Sequence, residues 1–152
     1  MTTITTSRSE RPGLRASWAG LALTALATLV PLIDIATSDR LTDHVRAAYP
    51  DWSADLVAGD RDAIATYLAV VGVLGLLAWA LMILGIAKRK SWSRAIATTF
   101  FVLGGSIAAF DLTYAGGDYS LVIPRLYGLL GLLPVIAGVA ALVQMWRRSP
   151  QV

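Results

Sequence analysis

The chain has 152 residues, 56% of them hydrophobic and 15% charged, with a mean hydropathy of +0.63. That is enough for one domain and too apolar for an ordinary soluble one, so the composition points to an integral membrane protein. Net charge is +3 and cysteine is absent, which excludes disulfides, thiolate metal sites and dithiol redox chemistry; no basic face with a nucleic-acid reading element is visible.

Residues 1–13 are polar and poor in bulky apolar side chains, the composition of a disordered tail. Arg8, Arg11 and Arg15 lead into Ala16 to Ile33, 18 residues without a charge and near the length that crosses a ~30 Å hydrocarbon layer. A basic start before an apolar run also describes a secretory signal. This run is long for one and no small-x-small site follows it cleanly, so a retained first span is expected. Pro31 crowds the Ala27 carbonyl and should bend that span just below Asp34.

From Thr37 to Asp62 the chain turns acidic, with six Asp against three Arg and the single histidine, His44. Leu41, Val45, Ala48 and Tyr49 fall at helical spacing, with Ser38 placed to cap the start and Pro50 to stop the end, which predicts a short surface helix. A second piece, Asp51 to Ala58, is expected to end at Gly59, with Asp60 as N-cap of the next helix. A lone His near several Asp is expected to be solvated or locally bonded rather than a metal ligand.

Ala63 to Ala87 is a second span of 25 uncharged residues, with Trp79 as a packing or lipid-facing ring. A basic turn, Lys88 to Arg94, leads to a third span from near Ala95 to Asp111, running on toward Tyr114 before Gly116-Gly117. Pro124 suits the first turn of a fourth span, Leu126 to Trp146, closed by Arg147 and Arg148. Pro134 should loosen the bond to the Leu130 carbonyl while serving packing.

Short connections predict an all-α, up-down four-helix membrane bundle over residues 14–148, with a cytoplasmic end at 149–152. Its spans cover about 16–36, 62–87, 93–114 and 124–146, with a short helical loop at 37–61. Gly72, Gly75, Gly104, Ala108, Gly128, Gly131 and Gly138 offer close approach between helices.

With four spans, the N-terminal arginines, the Lys88, Arg89, Lys90, Arg94 turn and the Arg147, Arg148 end share one side. The positive-inside rule puts that side, and both termini, in the cytoplasm of a plasma (inner) membrane and the acidic loop outside. Trp18, Trp92 and Trp146 mark the inner interface; Tyr67, Tyr114, Tyr119 and Tyr127 gather near the outer one.

At 1.5 Å per helical residue, Asp34 lies roughly 24 Å from Trp18, Asp111 roughly 28 Å from Trp92 and Arg125 roughly 31 Å from Trp146. All three approach the outer boundary. One reading pairs Arg125 with both acids, lowering the cost of embedding them and fixing the rotation of three spans. The other lets each charge reach headgroups separately. On the first reading Asp34, Asp111 and Arg125, with Tyr114 and Tyr127, are the ligand-binding candidates.

Catalytic patterns are missing: no HExxH, GxSxG or phosphate-cradling Gly-Lys-Ser/Thr loop occurs, and the only glutamate is Glu10. The middle of the bundle offers only Thr24, Thr28, Thr98, Thr99 and Ser106, too little for a proton-coupled path. Small multidrug transporters are similar in length and span count but rely on an embedded Glu, and vitamin K epoxide reductase-like enzymes rely on cysteine pairs; both are excluded. The run His44-Val45-Arg46-Ala47-Ala48-Tyr49-Pro50, followed by a span and the Lys-Arg-Lys-Ser-Trp turn, resembles uncharacterised small bacterial four-span membrane proteins. That resemblance implies no activity.

The expectation is a non-enzymatic membrane protein without catalytic residues, metal or cofactor, acting through contacts as an accessory subunit or homo-oligomer, its outer loop a lid or docking face. Its expected partners are the lipid bilayer and copies of itself or a larger membrane complex, with no nucleic acid. The alternative is a binding protein or transporter for a small solute or lipid headgroup, with an outward polar pocket at Asp34, Asp111 and Arg125.

Overall fold

The computed structural model describes residue 11 and residues 13–147. Its elements are α1 (Leu14–Thr37), α2 (Arg40–Ala48), α3 (Ala54–Ala87), α4 (Ser93–Thr113) and α5 (Arg125–Arg147). The four longer helices are long and apolar enough to cross a membrane, so the chain is an all-helical, multi-pass membrane protein.

Helix α1 is the centre of the packing. Its buried residues, Ser17, Gly20, Thr24, Thr28 and Pro31, recur every three or four positions and form one face of small side chains. Their hydroxyls are satisfied locally: Ser17 donates to the Gly13 carbonyl at 2.7 Å, Thr24 to Gly20 at 2.9 Å and Thr28 to Thr24 at 2.7 Å. Helix α3 lays Trp79 against Gly20, Gly75 against Thr24 and Gly72 against Thr28. The two helices therefore run in opposite directions, with backbones close enough that a methyl on Gly20 or Gly72 would collide with its neighbour.

On its other side α1 meets α5, again in opposite order. The Gly13 N–H donates to Gln144 Oε1 at 3.2 Å near one end, and the Tyr127 hydroxyl donates to Asp34 at 2.7 Å near the other. Helix α4 leans on α5, with Gly138 beside Phe101 and Gly128 beside Leu112. Helices α3 and α4, although consecutive in sequence, pack least of the long neighbouring pairs. They meet where Gly85 faces Trp92 and Ser93 and, at the far end, through Tyr67 and Asp111. Of the small residues expected at contacts, Gly72, Gly75, Ala108, Gly128 and Gly138 lie at one, whereas Gly104 and Gly131 have nothing within 4 Å of where a side chain would begin.

Two apolar clusters close the ends. One gathers Met82, Ile86, Ala97, Ala141 and Met145 near the basic turn. The other gathers Leu41, Val45, Val57, Ile64, Ile123 and the rings of Tyr119 and Tyr127, and sits beneath α2. Leu41 and Val45 are 0% exposed. Each contributes about 1.5–3 kcal/mol by burial, which holds a nine-residue helix too short to persist alone.

Local boundaries differ from expectation in two places. Helix α3 begins at Ala54, capped by Ser53, whose hydroxyl accepts the Leu56 N–H at 3.4 Å. Gly59 therefore does not end a separate piece, and Asp60 is no N-cap: a glycine weakens a helix by about 1 kcal/mol without stopping it when flanking residues such as Val57 and Ile64 pack. Ser38 does not cap α2. Its N–H and that of Asp39 both donate to the Asp34 carbonyl, at 2.8 and 2.7 Å, closing α1 with Asp39 left-handed at φ 44°.

Pro31 and Pro134 lie inside helices that continue through them. Pro124 precedes α5 and its carbonyl accepts from Tyr127 and Gly128. Arg11 and Gly13, at the end of the stretch read as a tail, bond to the Ala87 carbonyl and Gln144. The rest of that tail, Arg148 and the end at 149–152 lie outside the described residues.

Candidate functional site

The chemistry-bearing side chains collect at the end covered by α2, here called the cap. Asp34, in the last turn of α1, is its hub. One carboxylate oxygen accepts the Tyr127 hydroxyl at 2.7 Å and the Arg40 N–H at 3.1 Å, and the other lies 3.6 Å from Arg40 Nε. The Asp34 side chain is 11% exposed while Arg40 reaches into solvent. The arrangement ties the end of α1 to the start of both α2 and α5.

Asp111 is buried at 7% exposure near the end of α4 and accepts the Tyr67 hydroxyl at 2.7 Å. No basic side chain pairs with it among the described residues. Its phenol partner comes from α3, so this bond joins the pair that packs least among the long neighbouring helices.

Asp39 forms a third node. It accepts the Thr42 hydroxyl at 2.8 Å and Arg61 Nε at 3.2 Å, and Arg61 also pairs with Asp62 at 2.8 Å. Burial pushes the Asp39 carboxyl up, but the bonds from Thr42 and Arg61 and the Arg61 charge outweigh it and hold the group below its ordinary value.

The loop between α4 and α5 completes the cap. His44 Nε2 lies 2.9 Å from the Leu121 carbonyl and 3.2 Å from that of Val122. Two carbonyl acceptors require the proton to sit on that nitrogen. The imidazole stacks on Tyr119 at 5.2 Å, and the Tyr119 hydroxyl donates to Asp60 on α3. Burial first, then the bond to Asp60 and the nearby charge, push the Tyr119 phenol up. Tyr49 stacks on Trp52 at 3.8 Å, and its hydroxyl accepts the Asp118 N–H at 3.1 Å directly over Gly117. Gly117 has φ 57°, so both its backbone and the phenol above it require glycine.

Of the ligand-binding candidates, Asp34 and Tyr127 are brought together. Asp111 binds a different tyrosine. Arg125 is exposed at the start of α5 and pairs with neither acid, and Tyr114 is 45% exposed, stacked on Phe110. The residues missed are Tyr67 and Tyr119. Both had been placed in an outer aromatic belt, yet Tyr119 and Tyr127 are buried and each of the three phenols donates to an aspartate. The available signal was a phenol at the same depth as each embedded acid.

At the opposite end Lys88, Arg89, Lys90 and Arg147 are exposed, and the Arg94 guanidinium stands 5.9 Å from the centre of the Trp146 ring. Trp18, Trp92 and Trp146 are all exposed there, as rings at a membrane boundary are.

The cap is filled and internally bonded. Among the described residues no buried side-chain nitrogen or oxygen lacks a partner. Phenol–carboxylate pairs of this kind brace helices, here α1 to α5 and α3 to α4. Comparison with protein-family models, characterised proteins and solved structures finds no match to this chain.

Proposed function

We propose that this protein is a non-enzymatic, up-down four-helix membrane protein that acts through protein contacts, as an accessory subunit or a homo-oligomer. Its termini are cytoplasmic in a plasma (inner) membrane, following the basic residues, and the cap stands outside as a docking face. The observation carrying this reading is that the space under α2 is occupied by Leu41, Val45, Ile123, Tyr119 and Tyr127, with the polar groups bonded to one another. A rigid cap with a filled interior offers its surface. That surface is acidic: Asp43, Asp51, Asp55, Asp62 and Asp118 are exposed against Arg40, Arg46 and Arg125.

An outward pocket for a solute or lipid headgroup at Asp34, Asp111 and Arg125 has less support. Its cation is exposed and pairs with neither acid, and each acid accepts a phenol. Purification in mild detergent after crosslinking in the membrane tests the proposal. The expected product is a defined species heavier than the monomer. A chain that stays monomeric, carries no partner and moves a solute into liposomes overturns it.

A further inference from the structure

Tyr49 and Trp52 form an aromatic step on the surface of the cap. Their rings stack at 3.8 Å, and the Trp52 backbone N–H donates to the Tyr49 carbonyl at 3.3 Å across the Pro50-Asp51 turn. Tyr49 is fixed from two further sides: Tyr119 meets it edge-on at 5.2 Å, and its hydroxyl accepts the Asp118 N–H at 3.1 Å. One face of the indole is thus covered by a ring that is itself held in place. Trp52 is still 37% exposed, and no second ring stacks on it among the described residues, so the opposite face meets solvent. Leu56, 55% exposed in the first turn of α3, adds apolar surface to the same corner.

Depth sets this ring apart from Trp18, Trp92 and Trp146. It precedes α3, whose uncharged run begins at Ala63, about 14 Å along the helix axis from Ala54. The indole therefore stands beyond the apolar part of the span and not at its boundary. Charge then decides what fits. Asp51 adjoins Trp52 in sequence, Asp55 lies in the first turn of α3, and Asp118 is tied through its backbone to the Tyr49 hydroxyl. All three are exposed, and none is in an ion pair among the described residues. Against them stand Arg46, exposed in the last turn of α2, and about half a positive charge at the start of α3. The corner stays negative.

A group that matches both features is cationic and flat enough to lie on an indole. A guanidinium stacks on aromatic faces, sheds water readily and forks to carboxylates, whereas an ammonium supplies only the charge. Because Tyr49 holds the indole before anything binds, little ordering remains to be lost.

We propose that this step receives an arginine side chain from a water-exposed segment of a different protein. The inference rests on the contact role proposed above and names the chemistry of the partner.

The full chain, carrying 5-fluorotryptophan at its five tryptophans, is titrated in maltoside micelles with capped triarginine, trilysine and tricitrulline peptides and with phosphocholine. Fluorine NMR resolves the rings, and Trp52→Phe assigns the relevant resonance. Triarginine is expected to shift Trp52 and leave Trp18, Trp79, Trp92 and Trp146 in place, with trilysine about two- to fivefold weaker, the factor of an exposed cation–π contact. Tricitrulline and phosphocholine should shift nothing. Asp51→Asn with Asp118→Asn is expected to weaken triarginine about fivefold.

The parent chain decides the matter alone: no Trp52 shift with triarginine, or an equal shift with tricitrulline or phosphocholine, overturns the inference. Crosslinking in the membrane separates it from the contact role. A parent chain that gives no heavier species is a failure of that role. A heavier species made only of copies of this chain, or one undiminished in Asp51→Asn with Asp118→Asn, leaves the role standing and overturns the arginine step.

Discussion

Gly20 and Gly104 are chemically identical and structurally opposite. A methyl on Gly20 enters the Trp79 ring, whereas one on Gly104 meets nothing within 4 Å. Overpacking of this kind costs about 1–3 kcal/mol, so Gly20→Ala should unfold at clearly lower denaturant in a detergent titration. Gly104→Ala should stay within about 0.5 kcal/mol of the parent. The Tyr67–Asp111 pair makes a second contrast. Tyr67→Phe removes a hydrogen bond that a buried carboxyl accepts and should cost about 1–3 kcal/mol. Replacing both, Tyr67→Phe with Asp111→Leu, should cost less than Tyr67→Phe alone, because no polar group is then stranded. A double-mutant cycle in the same titration measures the difference.

At the scale of elements, α2 and the loop after α4 are held by bonds whose strength depends on pH. The Asp39 carboxyl lies below its ordinary 3.8 in the folded chain. Its contribution to cap stability is therefore complete above that ordinary value and is lost as pH falls through the lowered one. The Tyr119 phenol lies above its ordinary 10.0. Its contribution is complete below pH 10.0 and is lost as pH rises toward the raised value. Hydrogen exchange of α2 amides should therefore show protection weakening at both extremes. Asp39→Asn should flatten the acid limb and Tyr119→Phe the alkaline one.

The same elements mark what was legible in the chain. The four spans follow from uninterrupted apolar runs, and α2 follows from Leu41, Val45 and Pro50. The start of α3 was misread because Gly59 resembles a stop, while the signal that prevails is Ser53 as a cap before residues that pack. The site was half legible. Charge and depth single out Asp34 and Asp111 and suggest a guanidinium as their counterpart, but partner choice depends on the rotation of helices, which residue spacing does not specify. Tyr67 and Asp111 are 44 residues apart in sequence and meet only once α3 and α4 are placed.

For the whole molecule, the proposed topology makes a labelling pattern. The chain has no cysteine, so single introduced thiols report without background. Asp51→Cys and Asp118→Cys should react with an impermeant maleimide added outside intact cells, and Lys90→Cys only after the membrane is opened. The reverse pattern would invert the molecule, and labelling of Asp51 and Asp118 from different sides would break the shared cap. At 34 residues, about 51 Å long, α3 exceeds a ~30 Å hydrocarbon layer and carries Asp55 well beyond it.

The packing order sets a constraint on biogenesis. Helix α1 is made before the other three long helices described, yet one of its two main neighbours, α5, follows them all, and α4 rests chiefly on that same later helix. Until α5 is inserted, Asp34 lacks its phenol and the face carrying Gly128 and Gly138 does not exist for α4. A nascent chain halted after α4 would thus hold α1 against α3 alone, and α4 with little more than its Tyr67–Asp111 tie to α3. The bundle is therefore complete only once Arg125 to Arg147 has joined it.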